Sequence, residues 1–317
     1  MEFIRNYRLI FAGALVSTIF GFSFMFTSKG LDVIEPFHLL GFRFALAFIV
    51  FTVIKISGGI KIDIKGKNLL PLIPLTLMEP VIYFICETIG IGMTSSSEAG
   101  MIIALAPVFT TVLGAIYLKE RPTLVQFGFI LLSVSGVIFM TVMKGSVQVG
   151  ANTLGSLILL GSVFSAGMFN VFSRKLSSDY SPVEITYIMT WVGAIVFNGI
   201  SVIQHFNRGN LQYYFFPLTN IEALISIFYL GVLSSVVAYF MLNYLLSQVE
   251  ASRASVISNI ATVISIIAGV VFRNEPFYWF NVVGGIMILC GVWGTNYYRR
   301  KEETKKAYEI NEDSLSF

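Results

Sequence analysis

The sequence predicts an all-α membrane protein of ten transmembrane helices, built as two inverted five-helix repeats. The chain has 317 residues, of which 56% are hydrophobic and only 12% are charged. Soluble domains carry about 25% charged residues, and a transmembrane helix needs roughly 20 mostly apolar residues. The apolar runs are also continuous, whereas the strands of a membrane β-barrel would alternate apolar with polar residues.

Ten apolar segments have lengths typical of membrane spans. They cover residues 9–27, 37–56, 69–89, 98–118, 124–142, 153–172, 183–203, 221–245, 254–272 and 277–297. The polar stretch 299–317 is predicted to be a solvated tail. The two cysteines, Cys86 and Cys290, fall within separate apolar segments, so they predict packing residues rather than a metal cluster or a disulfide framework.

Lysines and arginines outside the spans are divided unevenly between the two sides of the membrane. With the N-terminus in the cytoplasm, 16 of these 20 residues fall on the cytoplasmic side and 4 on the other. Cytoplasmic loops of membrane proteins carry an excess of Lys and Arg. The distribution therefore predicts a multi-pass protein of the plasma (inner) membrane with both termini in the cytoplasm.

The second half of the sequence repeats the first at a shift of 155 positions from the fourth span onward, and of 145 positions before it. The aligned pairs include Ala99 with Ala254, Gly114 with Gly269, Glu120 with Glu275, Gly136 with Gly291, and Ser17 with Ser162. An odd number of spans per repeat makes the second copy enter the membrane from the opposite side, which is the inverted plan of many secondary transporters. The predicted units are 1–146, 150–298 and the tail 299–317.

Five short motifs resemble those of a known protein family and follow one another along the chain in the same order. They are the stretch 40–47 around Arg43, the stretch 95–99 that opens the fourth span, 106–109 in its middle, 117–122 at its end, and 272–276 at the end of the ninth span. The chain resembles the drug/metabolite transporter superfamily, in particular its ten-helix EamA-type branch, over about residues 9–297.

The resemblance implies carrier-mediated movement, often export, of amino acids or other small metabolites, without an organic cofactor. Two features depart from the family pattern. Thr262 stands where the family has a proline in the ninth span, and Glu79 and Glu87 stand in the third span where the pattern is usually apolar or small.

Charged residues at membrane depth are the leading candidates for the site, because they are costly there and usually functional. Arg43, Glu79 and Glu87 lie within the spans. Glu79 and Glu87 are eight residues apart, about 80° around a helix, so both can face one cavity, and Tyr83 between them can share that face. The alternative is a structural pair of Arg43 with a carboxylate that locks the second helix to the third.

Prolines predict kinks in the third and fourth spans. A proline within a helix removes one hydrogen-bond donor and clashes with the carbonyl four residues earlier, which is that of Thr76 for Pro80 and that of Ile103 for Pro107. Freed backbone groups at membrane depth need protein or water beside them. We therefore expect both helices to line the cavity, although the kinks could also serve packing alone.

Other polar residues within the spans leave two interpretations open. Trp191 falls near the middle of its span, where it either lines the site or faces lipid. Four amides at membrane depth join helices by hydrogen bonds or contact a ligand, namely Asn170, Asn198, Asn243 and Asn259. The predicted substrate-binding set is Arg43, Glu79, Tyr83, Glu87, Trp191 and Asn259.

Glu120 and Glu275 stand at helix junctions, shortly before Pro122 and Pro276. A carboxylate near a helix N-terminus interacts favourably with the helix dipole, and proline is common in the first helical turn. We therefore interpret these two residues as capping groups rather than as ligand contacts.

The sequence favours a secondary transporter, with export the expected direction, of small polar metabolites such as amino acids or similar zwitterionic or cationic compounds. Two acids and one base give a cavity of net charge near −1, which disfavours phosphorylated dianions. Multidrug-type efflux of hydrophobic cations is the alternative, and a non-transporting structural or receptor protein is the alternative from another class. An enzyme is not expected, because the only two histidines, His38 and His205, lie in different halves.

The expected partners are a small-molecule substrate, the lipid bilayer and, as a candidate coupling ion, the proton. No nucleic acid, metal or cofactor is expected. The sequence leaves a monomer and a homodimer open.

The first testable prediction concerns orientation. With both termini in the cytoplasm, a cysteine introduced as Asn311→Cys should react with a membrane-impermeant thiol reagent only after the cells are permeabilised. Labelling in intact cells would reverse the predicted topology.

Overall fold

The computed structural model describes residues 2–118, 123–147, 152–249, 260–294 and 297–298. Within these ranges, apolar helices joined by short loops follow one another along the chain. Seven helices are long and apolar enough to cross a membrane. Three shorter apolar helices are Leu124–Met140, Ile260–Arg273 and Trp279–Gly294. Together they correspond one by one to the ten predicted segments, which confirms an all-α membrane protein.

The helices are numbered here as α1 to α10 in chain order. Seven of them are uninterrupted within the described ranges: α1 (Glu2–Leu31), α2 (Pro36–Ile56), α5 (Leu124–Val147), α6 (Asn152–Leu176), α7 (Pro182–Asn207), α9 (Ile260–Arg273) and α10 (Trp279–Gly294).

Three helices are interrupted within the membrane. Helix α3 consists of Leu72–Thr76, the kinked stretch Leu77–Ile82 and Tyr83–Met93. Helix α4 consists of α4a (Ser96–Ile103) and α4b (Ala106–Leu118). Helix α8 consists of Ile221–Phe228, the π-helical stretch Tyr229–Ala238 and Tyr239–Gln248. Such π-helical turns within α-helices are frequent at functional sites.

The breaks in α3 and α4 fall where the prolines predict them. Glu79, just before Pro80, has extended backbone angles (φ −142°, ψ 116°), and the peptide bond between the two residues is cis. Helix α4a ends at Ile103, whose carbonyl would clash with the ring of Pro107 if the helix continued. The kinks expected from the sequence are therefore present in both helices.

Helices of the two halves pack against each other in pairs. Helix α2 lies along α7, α1 and α4a lie along α9, and α3 and α4b lie along α6. Glycines allow the closest approaches, since a Cβ at Gly193 of α7 would lie 2.6 Å from the Phe44 ring of α2, and a Cβ at Gly90 of α3 would lie 2.6 Å from Leu159 of α6. The core and the cavity therefore lie between the halves.

Polar contacts join the two halves at each end of the bundle. At one end, called here the Arg273 end, Arg273 pairs with Asp32 and Arg208 pairs with Glu35. At the other, called the Lys67 end, the Nζ atom of Lys67 lies 2.8 Å from a carboxylate oxygen of Glu184, and the Tyr180 hydroxyl donates to the Asn68 carbonyl. The predicted orientation places the Lys67 end in the cytoplasm. The predicted tail 299–317 lies outside the described residues.

The second prediction tests the α2–α7 packing with two glycines of α7. A Cβ at Gly193 meets the buried Phe44 ring, whereas a Cβ at Gly199 has no neighbour within 4 Å among the described residues. We expect Gly193→Ala to lower the free energy of unfolding by about 1–3 kcal/mol, the usual cost of overpacking a core. Gly199→Ala should be neutral or stabilising, because alanine favours helix. Thermal unfolding in detergent makes the comparison, and equal melting temperatures would contradict the packing.

Candidate substrate cavity

A cavity lies between the halves, at the level of the three helix interruptions. The space open to the centre of a water molecule is about 80 Å³, which is room for several waters because one needs roughly 10–15 Å³ by this measure. Its polar lining residues are Ser23, Arg43, Glu79, Tyr83, Glu87, Asn170, Ser234, Tyr239 and Thr262. Its apolar lining includes Phe20, Phe24, Phe84, Ile103, Pro107 and Leu242. Both proline-kinked helices line the cavity, as the sequence predicts.

Arg43 is bound to the second half of the protein rather than to a carboxylate. Its side chain is buried, with 1% of the residue exposed. Its Nε and one terminal nitrogen donate hydrogen bonds to Ser235 Oγ at 2.8 Å and to Ser234 Oγ at 2.9 Å, and its guanidinium carbon lies 4.2 Å from the centroid of the Phe84 ring.

The predicted alternative of a structural Arg43–carboxylate pair is therefore wrong for this structure. Among the described residues, the ion pairs present join other side chains. The physical reason is the π-helical stretch of α8, which places two consecutive serine hydroxyls at the guanidinium. Arg43 thus joins α2 to α8 and leaves the two carboxylates of α3 to other partners.

Glu79 is held by a residue of the opposite half. The hydroxyl of Tyr239 donates a hydrogen bond to Glu79 Oε1, and both residues are buried, at 3% and 4% exposure. Glu79 lies at the kink of α3, and Tyr239 begins the segment that follows the π-helical stretch of α8. The contact therefore joins the two interrupted helices across the cavity.

Glu87 differs from Glu79 in having a carboxylate oxygen without a hydrogen bond among the described residues. It is 2% exposed and lines the cavity, and its Oε2 makes no hydrogen bond to the part of the chain that the structure describes. A buried charge without a partner is costly. The Glu87 carboxylate therefore needs a proton, water or a cationic ligand group. Tyr83 lines the same cavity one turn earlier on α3, as predicted.

The sequence analysis missed Ser234, Ser235 and Tyr239, which bond to Arg43 and Glu79. It also did not assign Ser23 and Thr262 to the cavity wall. The internal repeat contains a signal for Tyr239. A Tyr-Phe dipeptide stands at residues 83–84 in the third helix and again at 239–240 in the eighth, which is the corresponding helix of the second repeat. In both copies the tyrosine is the first residue after the interruption of its helix. The serines have no comparable signal, because serine is common in membrane helices.

The structure places one predicted site residue, Trp191, away from the cavity and does not describe another. Trp191 is 50% exposed, and its ring centroid lies 6.2 Å from that of Phe48. The prediction that Trp191 lines the site is therefore corrected, because α7 turns this side chain to the outer surface of the bundle, as in the lipid-facing alternative. Asn259 lies outside the described residues.

The mid-membrane amides within the described ranges join helices, as predicted. Asn170 lines the cavity and donates to Thr110 Oγ1 at 3.2 Å. Asn198 donates to the Gly41 carbonyl at 2.9 Å, and Asn243 donates to Thr186 Oγ1 at 2.9 Å. Among the described residues, no group of three or more His, Cys, Asp or Glu side chains is arranged to hold a metal ion.

The third prediction tests the Glu79–Tyr239 contact. Tyr239→Phe removes the hydroxyl and leaves a buried carboxylate oxygen without its donor, so it should lower the free energy of unfolding by about 1–3 kcal/mol. Tyr83→Phe is the matched control, because the Tyr83 hydroxyl has no hydrogen-bond partner among the described residues and the residue is similarly buried. Thermal unfolding of both variants measures the difference. A control that loses as much stability would show that the contact contributes little.

Known proteins share this sequence and this fold. An uncharacterized transporter of Bacillus subtilis, YcxC, is 41% identical over 285 residues, which is 90% of this chain and 91% of the relative. A probable amino-acid metabolite efflux pump of Escherichia coli is 24% identical over 280 residues, which is 88% of this chain and 91% of the relative. A solved crystal structure at 14% identity has a TM-score of 0.66 and covers 93% of this chain and 98% of its own, which shows the shared fold.

The family assignment rests on both halves of the sequence. The EamA-like transporter family matches this chain twice, over residues 8–142 and over residues 153–297. Each match contains five of the ten apolar segments. The chain therefore belongs to the EamA-like transporter family, whose members are membrane transporters and not enzymes.

Proposed function

We propose that this transporter is a secondary carrier that exports small zwitterionic or cationic metabolites, with amino acids the leading class, through the cavity between its halves. The observation that carries the proposal is the unpaired carboxylate of Glu87 in the same cavity as the buried guanidinium of Arg43. A zwitterion supplies one group for each. Its ammonium group would bind Glu87, and its carboxylate would bind the free face of Arg43.

The hydrogen-bonding capacity of Arg43 supports this assignment. A guanidinium has five N–H donors in a planar fork, and carboxylates bind such a fork through two parallel bonds. Only two donors of Arg43 are directed to Ser234 and Ser235. The remaining donors leave capacity for a substrate carboxylate. A carrier for hydrophobic cations would have no use for a fixed positive charge in its cavity, so the zwitterion is favoured over multidrug-type efflux.

The apolar lining sets a second requirement on the substrate. Phe20, Phe24, Phe84 and Leu242 contribute to the wall of the cavity. Rings and aliphatic chains favour an apolar body on the substrate, because burying apolar surface is favourable. The name of the Escherichia coli relative, a probable amino-acid metabolite efflux pump, supports both the amino-acid class and the outward direction.

Coupling to protons follows from the division of roles between the two acids. Glu87 is the free counter-charge for the substrate, whereas Glu79 shares a hydrogen bond with Tyr239 of the other half. Protonation would neutralise the Glu79 carboxylate and thereby change its hydrogen bond with Tyr239, which joins α3 to α8. We propose Glu79 as the proton-binding residue of a carrier in the plasma membrane with both termini in the cytoplasm, acting as a monomer or homodimer.

The fourth prediction separates the two acids. Glu87→Gln should raise the KM for a zwitterionic substrate by about tenfold or more, since it removes a charge-assisted bond of about 1.5–3 kcal/mol. Glu79→Gln keeps size and hydrogen bonding but cannot titrate, so it should lose gradient-driven accumulation and keep exchange of substrate for substrate. Glu222→Gln is the control, because Glu222 is exposed at the start of α8.

The measurement begins with a growth screen against amino acids and toxic analogues, which finds a substrate. Flux in reconstituted vesicles then compares the three variants with the natural protein in accumulation and in exchange. Full activity of Glu79→Gln and Glu87→Gln in both assays would overturn the proposed site. A complete lack of flux for every tested compound would count against the substrate class.

A further inference from the structure

The short helix α4a is fastened at its first turn by a residue of the other half. Glu275 lies in the loop after α9, and its two carboxylate oxygens accept four hydrogen bonds from α4a. The Ser96 amide and hydroxyl donate to Oε1 at 2.9 and 2.6 Å, and the Ser97 amide and hydroxyl donate to Oε2 at 2.9 and 2.6 Å. The predicted capping role of Glu275 is thus found, but on α4a rather than on the helix that follows it. Glu120, its repeat partner, lies outside the described residues.

The charge of Glu275 suits this position. The first turn of a helix has unpaired N–H groups and the positive end of the helix dipole, so it stabilises an anion. Burial alone would raise the pKa of Glu275, but the hydrogen bonds from Ser96 and Ser97 outweigh it and hold the pKa below its usual value. Glu275 is therefore ionised at neutral pH, which strengthens all four bonds.

Further contacts hold α4a along α9. The Ser265 hydroxyl donates to the Ser96 carbonyl at 2.8 Å, and the Thr262 hydroxyl donates to the Gly100 carbonyl at 3.2 Å. Gly269 has no room for a side chain, because a Cβ there would overlap Ser97 Oγ and the Glu275 carboxylate. Helix α4a and helix α9 therefore form one tightly joined unit, although they belong to different halves.

The second part of the fourth helix has a different partner. Gly167 of α6 lies so close to α4b that a Cβ there would be 3.0 Å from Phe109 and 3.1 Å from Leu113. Ile103 and Ala104, at the junction of α4a and α4b, line the cavity. Helix α4a also packs against α6. A hydrogen bond between them runs from Ser156 Oγ of α6 to Glu98 of α4a, and at 3.3 Å it is longer than the four bonds to Glu275.

We propose that Glu275 is a positioning residue that fastens α4a to α9. Because α4a is held to α9 while α4b packs against α6, the fourth helix bends at residues 104–105. It bends when the cavity closes at one end of the bundle and opens at the other. The units that move are then sets of helices drawn from both halves. One set contains α1, α4a and α9, and the other contains α3, α4b and α6. This inference rests on the proposed carrier function, but it concerns which helices move and not which substrate binds.

Two reversible tethers test the proposal in the full-length chain, in a Cys86→Ala/Cys290→Ala background. A reducible thiol cross-linker between Phe22→Cys and Phe272→Cys joins α1 to α9, within one proposed unit; the centroids of the two natural rings lie 6.2 Å apart. A thiol cross-linker between Leu31→Cys and Gly92→Cys joins α1 to α3, across the two units; a Cβ at Gly92 would lie 3.6 Å from Leu31 Cδ1. The readout is labelling of Ala166→Cys, in the cavity wall, by impermeant thiol reagents applied from each side of the membrane.

With the tether within one unit, the cysteine at position 166 should react with reagent applied from either side of the membrane. With the tether across the units, it should react with reagent from one side only. Reduction of that tether should restore labelling from the second side. If the 22–272 cross-link restricts labelling to one side, or the 31–92 cross-link leaves both sides open, the proposal is overturned. No substrate is needed for this readout, so failure of the proposed substrate class would leave the result interpretable.

The role of Glu275 is tested by rescue. Glu275→Ala should slow labelling of the reporter from the Arg273 end by about tenfold or more, because it removes all four hydrogen bonds that fasten α4a. In this variant the carboxylate no longer occupies the space beside Gly269. A disulfide between Ser97→Cys and Gly269→Cys should therefore restore the rate, because it replaces the lost attachment of α4a to α9. Glu275→Gln, which keeps the side-chain size, serves if the alanine variant fails to fold. An unchanged rate in the substituted protein, or a slow rate that the disulfide does not restore, would show that Glu275 does not position α4a.

Discussion

A positive charge buried in an apolar bundle is the constraint on which the rest of the structure depends. Arg43 lies at membrane depth with 1% of its surface exposed, where lipid cannot solvate a guanidinium. Its donors are met by Ser234 and Ser235 on the π-helical stretch of α8. Because these serines belong to the second half, the charge on α2 joins the two halves. It also leaves Glu79 free to bond to Tyr239, and Glu87 free to face the cavity.

The helix interruptions also place polar groups, here those of the backbone, at membrane depth. An uninterrupted helix satisfies its own backbone and presents only side chains, whereas an interrupted one has backbone groups that need protein or water at membrane depth. The interruptions in α3, α4 and α8 all contribute residues to the cavity wall, at Glu79, Ala104 and Ser234. The cavity is thus the place where the irregular backbone of both halves is brought together. That arrangement gives a transporter of this family polar groups to bind a substrate and helices that can bend.

Three glutamates that look alike in the sequence have different contacts in the structure and therefore suit different roles. Glu87 has no partner in the described protein, Glu79 is bound across the halves, and Glu275 is fully occupied in fastening α4a. Only a carboxylate that is free in the cavity is available for a substrate ammonium group. A carboxylate that bonds across two helices is suited to coupling, because its protonation changes how those helices are held. A carboxylate with four donors is suited to positioning.

The sequence by itself determined the apolar helices, the repeat and the kinks, because each depends on composition or on local covalent geometry. Pro80 and Pro107 interrupt their helices whatever surrounds them, and the charges at Arg43, Glu79 and Glu87 had to lie inside the bundle because lipid excludes them. Only the tertiary structure decided the partners. It directed Arg43 to serines, turned Trp191 outward and placed Glu275 on α4a. The rotation of a helix about its axis, and the neighbour it meets from more than a hundred residues away, are set by the packing of the whole bundle and not by the local sequence.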